Sequence, residues 1–157
     1  MIDLKSFDEI LSQIIKSETG IKKVILVDRT GLTIAHVSKF SYYPVDIDGI
    51  GAIASAVFSA SEEQGKNLEI GDLDLLSSEF SDGKIFAASC GKGVLSVITD
   101  KDVNIGMIRL VMKKTSEKLK EVLEEFLSER PTSKVSSADK ETSSEDLKAA
   151  LGELEKS

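Results

Sequence analysis

No charged side chain occurs between Asp48 and Glu62, and apolar residues are mixed there with very small ones. Asp46-Ile47-Asp48 reads as a capped helix start, because a carboxylate satisfies the first free backbone N–H groups. The helix is expected to run from about Asp48 to Asn67. Ile50, Ile53, Ala54, Val57 and Phe58 supply apolar bulk, while Gly49, Ala52, Ala56, Ser59 and Ala60 leave the other side small and uncharged. A surface helix normally keeps a polar face. A helix without one is expected to be covered on more than one side, either at the centre of the domain or against another chain.

The rest of the chain supplies a sheet and two more helices. Leu4, Phe7, Leu11 and Ile14 recur at spacings of three and four, the mark of an amphipathic helix. Asp3 is its expected cap, and Thr19-Gly20 its stop, with glycine in the left-handed conformation. Val24–Val27 is a β-branched run suited to a strand covered on both faces. Asp28-Arg29-Thr30-Gly31 forms a turn, and Leu32–Val37 returns. A loop with Tyr42, Tyr43 and Pro44 leads to the uncharged helix. Leu73–Phe80, Lys84–Ser89 and Val94–Thr99 follow as strands, separated by Ser81-Asp82-Gly83 and Gly91-Lys92-Gly93. Such successive hairpins make an antiparallel meander. After Asp100–Asn104, the residues Ile105, Ile108, Met112, Thr115, Leu119, Val122 and Phe126 form the apolar stripe of a long final helix. The fold class is therefore α/β: an α-β-β-α-β-β-β-α sandwich whose five-stranded antiparallel sheet is flanked by helices.

Residues 1–127 are expected to form this domain. At Pro131 the composition changes, and Thr132–Ser144 is rich in Ser, Thr and Lys with one large apolar residue, Val135. Residues 128–157 read as a flexible acidic tail, with a possible short helix at 144–156 placing Leu147, Leu151 and Leu154 on one face.

Composition narrows the functions. The net charge is −7, so the chain lacks the clustered Lys and Arg that neutralise a nucleic-acid backbone. It is also unsuited to anionic membranes. No apolar run approaches a membrane span or a signal peptide, and a cytoplasmic location is expected. Cys90 is the single cysteine and reads as a small buried hydrophobe in a reducing compartment. His36, the sole histidine, lies in a strand with no Gly-x-Ser-x-Gly elbow in the sequence. Gly91-Lys92-Gly93 lacks the spacing of a phosphate loop and leads into a strand. Asp72/Asp74 and Asp100/Asp102 fall at turns and helix entries, where capping is their ordinary role. No catalytic residue, cofactor or metal site is expected, and the chain is read as not an enzyme.

Three segments in this order resemble the Roadblock / dynein light-chain family: Val24–Ala35, the small-residue helix Gly51–Ala60, and Leu95–Arg109 with its Asn104-Ile105-Gly106 helix entry. The similarity covers about Ser6 to Phe126 and is nearest to the short prokaryotic members associated with small GTPases of the Mgl type. It implies a profilin-like sandwich that homodimerises. The helix at Asp48–Asn67 would pack antiparallel on its twin, and the strand at Leu73–Phe80 would pair edge to edge. The implied dimer contacts are Ile50, Ile53, Ala56, Val57 and Ala60 on the helix, with Leu73, Leu75 and Ser77 on the strand. The resemblance further implies a Ras-like small GTPase as partner, either activated or scaffolded. Glu62, Glu63, Lys66 and Asn67, at the end of the helix, are the candidate GTPase contacts. Two other functions fit the same chain: a structural adaptor docking through its tail, and a sensory module holding a small ligand between sheet and helix.

Overall fold

The computed structural model describes residues 4–39 and 46–128. The expected cap Asp3, the Tyr42–Pro44 loop and the tail helix at 144–156 lie outside the described residues. Eight elements follow one another: α1 (Leu4–Ser17), β1 (Ile21–Asp28), β2 (Thr33–Ser38), α2 (Ile47–Asn67), β3 (Leu75–Phe80), β4 (Gly83–Ser89), β5 (Gly93–Asp100) and α3 (Ile105–Ser128). The five strands form one antiparallel sheet in the order β2-β1-β5-β4-β3. The α-β-β-α-β-β-β-α order expected from the sequence is the order observed. The described residues as far as Phe126 form one compact unit.

Strand alternation divides the core between two faces. Ile25, Val27, Ala87 and Val94 point toward α2, where Phe58 joins them in one buried cluster. Their neighbours Val24, Leu26, Phe86, Leu95 and Val97 are fully buried and lie on the opposite face. There α3 contributes Ile108, Met112, Leu119 and Leu123. Phe7 of α1 meets Phe126 of α3 edge to face, with ring centroids 5.2 Å apart. Val24–Val27 is therefore covered on both sides, as its uninterrupted β-branched run requires.

Three local expectations are corrected. Gly20 does not take positive φ. Its need for glycine is steric, since a Cβ there would lie 2.9 Å from an Asp100 carboxylate oxygen. Ile105, expected in the buried stripe of α3, is 38% exposed, and Leu123 is buried instead. The strand expected from Leu73 begins at Leu75. Leu73 precedes it and packs half-buried against the α2-side cluster.

The seating of α2 depends on its smallest residues. Its cap is as expected: the Asp46 carboxylate accepts from the Gly49 N–H at 3.0 Å. The stripe it buries is Gly51, Ser55, Phe58 and Gly65, not the side bearing Ile53 and Val57. Gly51 explains the choice. A Cβ on it would lie 2.6 Å from a Val27 methyl and 2.8 Å from the Thr33 hydroxyl. The smallest residue thus sits where the helix comes closest to the sheet. The Ser55 hydroxyl donates to the carbonyls of Asp28 and Arg29, at 3.2 and 3.3 Å. Gly31 (φ +95°) completes the β1–β2 turn directly beneath Ala52.

Replacing Gly51 by Ala tests this approach. Alanine favours a helix by about 1 kcal/mol over glycine, but overpacking a tight site costs about 1–3 kcal/mol. Since the contacts involve a core valine in a central strand, the steric cost should win. We expect Gly51→Ala to lower the urea midpoint without changing the slope; a raised midpoint would show that the helix is not held this close.

Candidate protein-interaction face

With one stripe of α2 spent on the sheet, the other is left facing outward. Ile53 is 66% exposed and Val57 46%. Ala52, Ala56 and Ala60 are exposed beside them, and no charge interrupts this side before Glu62. Next to it lies β3, at one edge of the sheet and, among the described residues, paired only with β4. Its outer backbone groups form an open edge of the kind that recruits another strand.

Between α2 and the β3–β4 hairpin runs a groove of about 280 Å³. Ala54 and Val57 line it from the helix, Leu76 and Phe80 from β3, and Ala87 and Ser96 from the sheet. Phe80 is 59% exposed. None of the residues around this groove is charged.

The expected dimer contacts do not all share one surface. Ile53, Ala56, Val57 and Ala60 lie exposed on α2. Ile50 and Leu73 are half-buried and already packed against the chain's own core. Leu75 points to the other face of the sheet, lining a hollow with Arg109 and Met112 of α3. Ser77, two residues on, is exposed and shares that orientation with Leu75. The β3 side chains beside α2 are instead Leu76, Ser78 and Phe80. Leu75-Leu76-Ser77-Ser78 is a pair of doublets, so its alternation cannot be assigned to a face without the hairpin register. Leu76 opposite Ala87 and Ser78 opposite Ile85 settle it.

Of the four candidate partner contacts, Glu63, Lys66 and Asn67 are exposed. Glu62 is engaged within the chain by an ion pair with Arg29. The sequence presents Arg29 only as a turn residue, because nothing local announces a guanidinium reaching four residues on α2, β4 and the β4–β5 turn. Its Nε donates to the Gly91 carbonyl at 3.1 Å, and its Nη2 to the Ser89 hydroxyl at 2.8 Å. The same group lies 5.5 Å from the Phe58 ring centroid. Nearby, burial pushes the Cys90 thiol up to about 12, against the smaller opposing pull of Arg29. Cys90 is thus held as a neutral thiol at ordinary pH, consistent with the buried hydrophobe expected. His36 is exposed on β2.

Past Asn67 the helix ends in a paired turn. Glu69 N–H donates to the Lys66 carbonyl and Ile70 N–H to that of Gly65, the Schellman pattern. Glu69 takes φ +55° there, where glycine would be less strained. Leu68 and Ile70 flank it, 67% and 76% exposed.

The helix–hairpin–helix–meander–helix order on one five-stranded antiparallel sheet defines a small α/β sandwich domain. The chain belongs to the Roadblock/LC7 domain family, whose model matches residues 7–99. A Methanocaldococcus jannaschii protein, MJ1340, is 39% identical over 113 residues, covering 72% of this chain and 96% of that one. In fold the chain is similar to Myxococcus xanthus MglB (TM-score 0.71, 21% identity, 80% of this chain and 92% of that one). It is similar more distantly to profilin II of Acanthamoeba castellanii (TM-score 0.51, 12% identity, 71% of this chain and 94% of that one). Among the described residues, no helix is long and apolar enough to cross a membrane.

Arg29 ties α2 to the far end of the β4–β5 hairpin, and its loss strands Glu62 and Ser89. Charge-assisted hydrogen bonds contribute about 1.5–3 kcal/mol each when buried, and partial exposure of this group reduces that. Arg29→Ala should therefore cost about 1–2 kcal/mol in chemical denaturation, whereas Lys92→Ala, on the exposed neighbouring turn, should be nearly neutral. Equal effects of the two substitutions would contradict the clasp.

Proposed function

We propose that this chain is a non-catalytic, cytoplasmic platform that pairs with a second copy and engages a Ras-like small GTPase as activator or scaffold. The single observation that carries the pairing is the outward stripe of α2. Ile53 and Val57 stand exposed on an uncharged helix, flanked by small residues that let another backbone approach. Contiguous apolar surface of this kind ordinarily marks an interface. Twofold pairing is the commonest way to close such a contact. The open edge of β3 alongside would extend the sheet across the pair.

The GTPase part of the reading is supported by the family and by the similarity in fold to MglB. Glu63, Lys66 and Asn67 remain the candidate contacts, since they are exposed and sit beyond the apolar stripe. Glu62 acts in this reading through Arg29, holding the end of α2 in place.

Sedimentation separates the two parts. The unaltered chain should sediment as a dimer, and Ile53→Asp or Val57→Asp should shift it to a monomer of unchanged circular dichroism. A monomeric parent chain at tens of micromolar would remove the pairing. A panel of Ras-like GTPases should show binding or an altered rate of GTP hydrolysis, weakened by Lys66→Glu. Neither binding nor a rate change across the panel would remove the GTPase.

A further inference from the structure

We propose that the hollow between α3 and the β3–β4 hairpin, on the sheet face opposite α2, binds a small zwitterion with an aliphatic body, of the class of the aliphatic α-amino acids. The hollow encloses about 440 Å³, within the range of small-molecule sites. Arg109, Lys113, Ser116 and Glu117 form its helix wall. Their spacings of three and four set them on one stripe of α3. Leu75 and Ala88, paired directly across β3 and β4, form its floor together with Met112. Asp74, just before β3, closes the remaining side. Asp74, Arg109, Lys113 and Glu117 are all exposed, so the hollow is open to water.

The charges state the chemistry. Arg109 and Lys113 stand one turn apart, where like charges repel. Among the described residues, neither pairs with an acid, and neither Asp74 nor Glu117 pairs with a base. Two cations and two anions thus border one space without neutralising each other. Glu117 follows Lys113 by one further turn, so a ligand satisfying both must carry its two charges close together, as an α-amino acid does. Its carboxylate would bridge Arg109 and Lys113, in the charge-assisted geometry that a guanidinium favours. Its ammonium would meet Glu117, with Asp74 across the hollow. The floor takes the side chain: Ala88 and Met112 are buried and Leu75 is half-buried. Ser116 is half-buried on the same wall, and its Oγ has no hydrogen-bond partner. A change of rotamer offers that hydroxyl to the ligand.

The site rests neither on the pairing nor on the GTPase. Pairing would use the outward stripe of α2 and the backbone edge of β3, and of its implied contacts only Leu75 borders this hollow. The test is titration of the ¹⁵N-labelled full chain with leucine, followed by amide shifts. Three controls each lack one part of it: 4-methylpentanoate the ammonium, isopentylamine the carboxylate, and glycine the side chain. Shifts should centre on Leu75, Ala88, Arg109 and Met112. Leucine should bind roughly tenfold or more tightly than any control, since each charged end contributes a charge-assisted hydrogen bond. Arg109→Gln, an exposed substitution, should weaken leucine by roughly tenfold while leaving isopentylamine unchanged. Glu117→Gln should weaken leucine and isopentylamine but not 4-methylpentanoate. Shifts scattered over the surface, any control binding as tightly as leucine, or undiminished leucine binding by both variants would overturn the proposal. A monomer that binds leucine defeats only the pairing, and a dimer that does not defeats only this site.

Discussion

The contact on which the rest of the molecule depends is the close seating of α2 on β1 and β2 through Gly51. A helix can approach a sheet this nearly only where no side chain intervenes, and Gly51 is hemmed in by Val27 and Thr33. Ser55, one turn on, converts the approach into hydrogen bonds with the β1–β2 turn. Phe58, the next residue inward, fills the cluster with Ile25 and Val27. Small, polar and large residues thus succeed one another along one stripe, each matched to the local gap. Seating the helix on that stripe turns the bulkier Ile53 and Val57 away from the core. The outward apolar face is a consequence of how the inward face packs.

Arg29 extends this arrangement to the other end of the helix. Beyond Phe58 the buried residue of α2 is Gly65, which packs against the Gly71 carbonyl of the loop that follows the helix, not against the sheet. The guanidinium joins Glu62, Ser89 and Gly91 around the ring of Phe58. The helix therefore keeps one orientation over its length, and so does the row of side chains it presents outward. Rigid presentation matters for a recognition surface, because side chains already ordered lose less freedom on binding.

The fold was legible because its signals are periodic and redundant. The β-branched run of β1, the three turns and the stripes of α1 and α3 each restate the same topology. The orientation of α2 was not legible from hydrophobicity, since Gly51 and Ser55 contribute none of it. Only the distance between backbones reveals why they face inward. The sides of β3 were hidden for a related reason, its doublets giving no alternation until the register with β4 is known. Arg29 was missed because its partners are brought together from across the chain. The outward helix as an interaction face was accessible early, because a missing charge pattern is visible in one dimension.

The absence of charge on that face also bears on how a chain of net charge −7 could approach its own copy. In the proposed twofold pair, every charge on one face would meet its own kind near the axis. The stretch from Gly49 to Ser61 removes that conflict from the middle of α2. The first acids beyond it are Glu62 and Glu63, and Arg29 already neutralises Glu62. With the helices antiparallel about Ala56, Glu63 of one copy lies seven residues along, or roughly 10 Å. The two Glu63 side chains then stand about 20 Å apart, beyond the screening length of about 8 Å at physiological salt. A parallel arrangement would bring them together at the same end. The antiparallel crossing about Ala56 would instead set Glu63 of one copy opposite Gly49 of the other, beside Asp48, and Lys66 opposite Asp46, so that each end of the crossing carries both signs of charge.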